Sequence, residues 1–261
     1  MPRFSANISM LYSELPFMER FAAASADGFG AVEYVGAYDQ DGAALRDLLD
    51  RHGLVQALFN LPAGDWAAGE RGIGCLPDRV EEFRQGIGIA IDYARATGCM
   101  QLNCLAGIAP PGHDRAVLER VLTDNLRYAA PRLADAGIRL LLEPINTRDI
   151  PGFLVNSTDE YERIAGAVNH DNLYLQYDFY HMQVVQGDLL PTFARLQSRI
   201  AHVQIADNPG RHEPGTGEID YTNIFKALDA ADYAGWVGAE YRPSAGTTAG
   251  LGWFEPWRTR A

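Results

Sequence analysis

The stretch AHVQIADNPGRHEPGTGEID, residues 201–220, contains a strand-like run followed by a polar loop. In AHVQIAD the apolar residues Val203 and Ile205 predict a buried β-strand, yet Gln204 lies between them. A helical pattern, YTNIFKALDAAD, follows the loop. The stretch therefore predicts one strand–loop–helix unit. An amide side chain lies in the strand, and polar and charged side chains such as Arg211 follow its carboxyl end.

The same order of strand and helix extends along the whole chain. Strand-like runs occupy residues 4–10, 31–35, 54–60, 100–107, 139–146, 173–181, 201–207 and 235–243. Helix-like runs follow them, and several of these end in glycine. Eight strands, each followed by a helix, predict an α/β protein with a (β/α)₈ TIM-barrel fold, in one domain over residues 1–261. A doubly wound open sheet is the alternative, but the first strand–helix turn, NISMLYSELPF, lacks a glycine-rich phosphate loop.

Composition narrows the functional classes. Of 261 residues, 47% are hydrophobic and 21% charged, which is typical of a globular protein. The sequence contains neither an apolar run long enough to cross a membrane nor a secretory signal, so we expect a cytoplasmic protein. The net charge of −12 opposes binding to nucleic acid, and the three cysteines have no metal-type spacing. Composition does not decide between a monomer and a homo-oligomer.

Four consecutive strand-like runs each carry one oxygen-bearing side chain near the carboxyl end, where active sites of barrels form. They are Glu143, Asp178, Gln204 and Glu240. Three buried carboxylates would repel one another without a positive centre. Because all four ligands offer oxygen, the set suits a divalent cation such as Mg²⁺ or Mn²⁺. His202, two residues before Gln204, is better interpreted as a hydrogen-bonded histidine of the core.

Other candidate site residues lie on the loops at the same end of the predicted barrel. His181 follows Asp178 by three residues and could contact substrate or metal, and Arg211 could bind an anion. Asp149 lies on the loop after the fifth strand. Trp66 lies in the long irregular segment 62–78, which is either a lid over the site or a surface excursion.

Several long motifs resemble those of the hydroxypyruvate isomerase family, a branch of the xylose-isomerase-like barrels. They are NLPAGDWAAGERGIGCLPDR (60–79), EPINTRDIPGF (143–153), LQYDFYHMQ (175–183), HVQIADNPGRHEPGTGEIDY (202–221) and GLGWF (250–254). The resemblance covers nearly the whole chain. It implies the same barrel fold and an aldose–ketose type isomerisation of a small anionic hydroxy-oxo acid.

Residue by residue, the resemblance implies that Glu143 and Glu240 are the acid/base pair and that the metal ligands are Glu143, Asp178, Gln204 and Glu240. The implied reaction converts hydroxypyruvate to 2-hydroxy-3-oxopropanoate through an enediol. Arg211 and His181 are candidates to hold the substrate carboxylate. The alternatives are a 2-oxotetronate isomerase and a ketose 3-epimerase, although the epimerases generally have histidine where this chain has Gln204.

Overall fold

Eight parallel strands close into a barrel in the computed structural model, which describes residues 1–258. The strands are β1 (Arg3–Asn7), β2 (Ala31–Tyr34), β3 (Val55–Asn60), β4 (Gln101–Cys104), β5 (Arg139–Leu142), β6 (Leu173–Asp178), β7 (Ile200–Ile205) and β8 (Trp236–Ala239). Each strand pairs with the next, and β1 pairs with β8 to close the barrel. The predicted TIM barrel is confirmed, and the last three residues of the predicted domain, 259–261, lie outside the described residues.

The sequence located all eight strands but extended several of them too far at the carboxyl end. The runs predicted over 100–107 and 139–146 end as strands at Cys104 and Leu142. Leu105, Ala106 and Ile145 are buried in the loops beyond. Hydrophobicity marks burial, whereas a strand ends where its backbone leaves the hydrogen-bonded ladder. Burial therefore continues past the end of pairing at this face of the barrel.

The helices surround the strands. They are α1 (Arg20–Ala26), α2 (Gly42–Arg51), α3 (Val80–Thr97), α4 (Arg115–Asp135), α5 (Thr158–Val168), α6 (Phe179–Val185), α7 (Leu189–Leu196) and α8 (Tyr221–Ala230). Both α6 and α7 lie between β6 and β7. Within residues 1–258, no helix has the length and apolar character needed to span a membrane.

The expectation of an α-helix after every strand is wrong for β8. Two short 3₁₀ helices, Thr248–Trp253 and Glu255–Trp257, follow it in the described part of the chain. The sequence there, TAGLGWFEPW, has two glycines and a proline, which oppose a continuous α-helix. Aromatic side chains pack this segment onto the barrel: the Trp253 and Phe254 ring centroids lie 5.4 and 5.6 Å from that of Phe4.

The interior of the barrel is largely polar. Its fully buried polar side chains include Ser5, Glu33, Gln101, Asn103, Gln176, His202 and Gln204. Many barrels fill this space with branched aliphatic residues instead. Hydrogen bonds between β2 and β7, which are not neighbours in the sheet, show that these side chains meet across the interior.

Glu33 is the centre of this interior network. Its carboxylate accepts hydrogen bonds from Ser5 Oγ at 2.6 Å, His202 Nε2 at 2.8 Å and Gln204 Nε2 at 2.8 Å. Burial acts to raise the pKa of Glu33, but His202 and the other donors outweigh it and hold the pKa below its ordinary value. Gln101 lies 3.1 Å from His202 Nδ1. The interpretation of His202 as a hydrogen-bonded core histidine is confirmed.

We expect Gly238→Ala to destabilise the barrel. A Cβ at Gly238 would come within 2.3 to 2.6 Å of the Glu33 carboxyl group, which its interior partners hold in place. Overpacking of this kind costs about 1–3 kcal/mol in the free energy of unfolding. Chemical denaturation measures the change.

Gly88→Ala is the matched control, since Gly88 lies in α3 with nothing within 4 Å of an added Cβ. Alanine should stabilise the helix there by about 0.5–1 kcal/mol. Equal effects of the two substitutions would show that the interior network yields freely around Glu33.

Candidate active site

A cavity of about 360 Å³ opens at the carboxyl ends of the strands. Its lining includes Glu143, Gln204 and Glu240 from the barrel and Trp66 from the segment between β3 and α3. A volume of this size lies at the small end of the range for ligand pockets. The cavity therefore suits a small molecule.

Three acidic side chains predicted from the sequence meet at this end of the barrel, and two of them, Glu143 and Glu240, line the cavity. Glu143 directly follows β5, Asp178 is the last residue of β6, and Glu240 directly follows β8. One oxygen from each, together with a ring nitrogen of His181, lies within 4.8 Å of all the others. The barrel thus brings together residues that are nearly one hundred positions apart in the chain.

Neighbouring amides orient the carboxylates. Asn103 Nδ2 donates to Glu143 Oε2 at 3.1 Å, and Asn7 Nδ2 donates to Glu240 Oε1 at 2.9 Å. Asp178 caps α6, because its Oδ1 accepts from the backbone N–H two residues later at 2.8 Å. Its Oδ2 is buried and has no hydrogen-bond partner. One carboxylate oxygen in the cluster is therefore left without a donor.

Arg211 supplies positive charge to the cluster. Its Nη2 lies 2.6 Å from Glu240 Oε2 and 3.8 Å from Asp178 Oδ2, and its Nη1 lies 3.8 Å from Asp149 Oδ2. The guanidinium also lies over the Tyr180 ring, 5.2 Å from its centroid. The predicted anion-binding residue therefore lines the cavity, but its strongest contact is with a glutamate of the protein.

Burial shifts the protonation of the acidic cluster. It raises the pKa of Glu143 well above the ordinary range, and the charges of Glu240 and Asp178 raise it further. Burial raises the pKa of Glu240 to about 8 against the opposing effect of Arg211, and raises the pKa of Asp178 to about 6. The acidic groups of this cluster thus have pKa values raised above their ordinary range, as is common for groups at functional sites.

The hydrogen-bond network determines the tautomer of His181. The backbone N–H of Asp149 donates to Asn146 Oδ1 at 2.8 Å, so Asn146 Nδ2 donates to His181 Nδ1 at 2.6 Å. The ring proton is then on Nε2, which lies 3.5 Å from Asp178 and 3.7 Å from Glu143. Burial lowers the pKa of His181 well below its ordinary value. His181 is therefore a neutral N–H donor facing the carboxylates.

Gln204 lines the cavity as expected, and its amide belongs to the interior network. Its Oε1 accepts from Gln176 Nε2 at 2.6 Å, and its Nε2 donates to Glu33. The strand amide in the middle of AHVQIAD thus joins the cavity to the buried Glu33 carboxylate. Its role as a metal ligand stays a prediction.

The other loop candidates have distinct surroundings. Asp149 lines the cavity, and its Oδ2 accepts from the Tyr180 hydroxyl at 2.9 Å. Trp66 also lines the cavity and is 42% exposed, so the segment 62–78 does reach the mouth.

Sequence reasoning missed several residues at this site. They are Asn7, Glu33, Asn103 and Gln176 in the strands, and Arg71 in the segment after β3. The signal for the strand residues was present, since each is a polar residue inside an apolar run. The sequence pattern considered was a polar residue near the carboxyl end of β5 to β8. The missed strand residues lie in β1, β2 and β4, or deeper in β6.

The donor set fits a divalent cation. Three carboxylate oxygens lie within mutual reach, and Asp178 Oδ2 is an acceptor with no donor. Arg211 offers one positive charge against three carboxyl groups. A cation there would satisfy the free acceptor and offset the remaining repulsion.

Comparison with known proteins agrees with this geometry. A family model described as the xylose isomerase-like TIM barrel matches residues 21–257. The chain belongs to this family. It is 50% identical to the hydroxypyruvate isomerase of Escherichia coli over 258 residues, covering 99% of this chain and all of that protein. It is 48% identical to the 2-oxo-tetronate isomerase of Cupriavidus necator over 260 residues, covering both chains completely.

A crystal structure also matches closely. The structure titled AP endonuclease, family 2, from Brucella melitensis has a TM-score of 0.96 and 44% identity, with 99% of this chain and all of that chain covered. The two full-length relatives are isomerases, and this family member is an isomerase as well. The resemblance found in the motifs is thereby confirmed at the level of family and enzyme class.

The raised pKa values predict how stability depends on pH in chelator-treated protein. For Glu240 and Asp178, the pKa in the folded state exceeds the ordinary carboxyl value of about 4. At pH values between the two, the folded state binds more protons than the unfolded state. The free energy of unfolding should therefore fall as pH rises from about 5 through 8. Melting temperatures across this range measure it.

Glu240→Gln should make this dependence shallower, because the amide does not titrate. Glu81→Gln is the matched control, since Glu81 is exposed in α3 and its replacement changes the net charge equally. If the melting temperature of the chelator-treated protein does not fall between pH 5 and 8, the raised pKa values of Glu240 and Asp178 are contradicted.

Proposed function

We propose that this protein interconverts hydroxypyruvate and 2-hydroxy-3-oxopropanoate. The observation that carries the proposal is the pair Glu143 and Glu240, which face one small cavity with raised pKa values. Carboxyl groups whose pKa values are raised from about 4 are better suited to take up and release a proton in the neutral range. The names of the full-length relatives support this substrate class.

The two glutamates account for the proton transfers. One, ionised, removes a proton from the carbon that bears the hydroxyl group, and an enediol forms. The other, protonated, delivers a proton to the former carbonyl carbon, and the proton of the original hydroxyl group passes to the former carbonyl oxygen, which becomes the new hydroxyl group. Asn103 and Asn7 hold Glu143 and Glu240 in position by donating to their outer oxygens. The reverse reaction exchanges the two roles.

The remaining site residues bind the reacting atoms. His181, as a neutral N–H donor, is suited to a substrate oxygen that gains negative charge. Arg211 and Asp149, whose Nη1 and Oδ2 lie 3.8 Å apart, line the same cavity and are suited to contact the hydroxyl and carbonyl oxygens of the substrate. Trp66 covers the mouth from the 62–78 segment.

A divalent cation, Mg²⁺ or Mn²⁺, would be held by Glu143, Asp178 and Glu240, with the amide oxygen of Gln204 as a further ligand. It would supply a positive charge that stabilises the negative oxygen of the enediol. The protein's own part is to keep the carboxylates oriented, through Asn103, Asn7 and the N-terminus of α6.

A second candidate is isomerisation of 2-oxotetronate, which the name of the Cupriavidus relative favours. The two acids share the carboxylate and the neighbouring carbonyl and differ by one hydroxymethylene unit. A wall that hydrogen-bonds the extra hydroxyl rejects the shorter acid strongly, whereas an apolar wall discriminates by only about 1–3 kcal/mol. An abasic-site endonuclease is disfavoured by the net charge of −12.

The decisive experiment is NMR of hydroxypyruvate and 2-oxotetronate incubated with the protein in D₂O, with and without Mn²⁺. Isomerisation with deuterium at the former carbonyl carbon supports the proposal. A kcat/KM more than tenfold higher for 2-oxotetronate would make that acid the substrate and leave the chemistry unchanged. Turnover of D-fructose or D-tagatose with neither acid converted would overturn the class of substrate.

We expect Glu143→Gln and Glu240→Gln each to lower kcat by about 10² or more, because an amide neither removes nor delivers the proton. The NMR assay measures it, and circular dichroism checks the fold. Glu81→Gln, on the exposed face of α3, is the control. Near-unchanged turnover in either site variant would exclude that glutamate from the acid/base pair.

Removal of divalent cations should lower both turnover and melting temperature, and Mg²⁺ or Mn²⁺ should restore them. Asp178→Asn should raise the cation concentration needed, since Asp178 Oδ2 is the carboxylate oxygen without a donor. Elemental analysis of the protein accompanies the assay. Full activity of a protein shown to contain no metal would mean that protonation alone relieves the repulsion.

A further inference from the structure

Two arginines of the cavity, Arg71 and Arg242, have no carboxylate partner among the described residues, and Arg71 is the one carried by the 62–78 segment. Arg71, Arg211 and Arg242 all line the cavity, and Arg211 is paired with Glu240. Within residues 1–258, no carboxylate oxygen lies within 4.0 Å of the Arg71 guanidinium. Its neighbour Glu70 does not neutralise it, because the Glu70 carboxylate pairs with Arg79 at 2.6 Å. In a chain of net charge −12, such an arginine is available to an anion.

The contacts of Arg71 leave one edge of its guanidinium open. Its Nη1 donates to the backbone oxygens of Trp66 and Glu70 at 3.1 and 2.7 Å. The guanidinium lies over the Trp66 ring, 4.0 Å from the centroid. Nε and Nη2 have no acceptor among the described residues. Two parallel N–H groups on one edge match the two oxygens of a carboxylate.

The backbone beside Arg71 is packed tightly against the barrel. Gly72 has φ +103° and comes so close to the loop after β4 that an added Cβ would lie 2.3 Å from Leu105 O. Gly72 N donates to Ala63 O at 3.0 Å, and Cys75 N donates to Ala106 O at 2.8 Å. The arginine is thus positioned before any ligand arrives, which lowers the entropy cost of binding.

We propose that Arg71 is the carboxylate-binding residue of the cavity, with its Nε–Nη2 edge receiving the carboxylate of the substrate. Arg242, exposed beyond β8 on the same cavity, adds positive charge. The inference rests on the proposed function for the identity of the acid, and it replaces Arg211 as the residue that binds this group. The carboxylate end of the acid then lies toward the 62–78 segment and its reacting carbons toward Glu143 and Glu240.

The test measures binding and turnover separately in the full-length protein. D-Glycerate, a carboxylate of the same length that has no carbonyl group, is titrated by calorimetry into wild type, Arg71→Gln and Arg71→Lys. Arg71→Gln should weaken glycerate binding about 10- to 100-fold. It should raise KM for hydroxypyruvate by a similar factor and leave kcat within a fewfold. Lysine should restore part of the affinity, because it keeps the charge but lacks the fork.

Arg79→Gln is the matched control. It removes the same charge, and Arg79 pairs with Glu70 at the foot of the same segment without lining the cavity. Its glycerate affinity should stay within about threefold of wild type. If Arg79→Gln weakens binding as much as Arg71→Gln, the loss reflects a loosened segment and the proposal is overturned. Unchanged glycerate affinity in Arg71→Gln overturns it as well.

The two proposals fail in different ways. If wild type isomerises hydroxypyruvate and Arg71→Gln leaves its KM unchanged, the function stands and the carboxylate site is wrong. If wild type isomerises neither acid but glycerate binding depends on Arg71, the carboxylate site stands and the reaction is wrong. Dihydroxyacetone, which has a hydroxymethyl group in place of the carboxylate, should inhibit wild type and Arg71→Gln equally.

Discussion

Repulsion among Glu143, Asp178 and Glu240 in one buried mouth is the constraint on which the organisation of the site depends. Three carboxyl groups within 4.8 Å of one another cannot all be ionised without compensating charge. Three features offset this repulsion. The guanidinium of Arg211 supplies positive charge, the raised pKa of Glu143 favours its protonation, and Asp178 Oδ2 has no donor and is available to a cation. Burial raises the pKa values of all three groups, and the neighbouring carboxylates raise the pKa of Glu143 further.

The polar interior of the barrel supports this arrangement from below. Asn7 is the link: its Nδ2 lies 2.9 Å from Glu240 and 3.4 Å from Glu33. Glu33 in turn is held by Ser5, His202 and Gln204, so the orientation of a mouth carboxylate is connected to the depth of the barrel. Such a network is costly unless nearly every member has a partner. The amide in the strand at Gln204 is explained by this requirement.

The cavity is lined by charged groups from different parts of the chain. The strand ends bring Glu143 and Glu240, whereas the 62–78 segment brings Arg71. An anionic hydroxy-oxo acid has the complementary division, with a carboxylate at one end and carbons that exchange protons at the other. The 62–78 segment is thus part of the site. Gly72 packs against the loop after β4, so this segment lies against the barrel and does not extend into solvent.

The sequence by itself determined the barrel, because the alternation of buried strands and amphipathic helices is a local property of the chain. It also identified Glu143, Asp178 and Glu240, since a carboxylate in an apolar run needs a reason to be buried. Only the tertiary structure showed that Glu33 and His202 pair across the barrel, and that Arg211 is held by Glu240 while Arg71 is not paired. Partner choice depends on distances between residues far apart in the chain, and no local pattern encodes those distances.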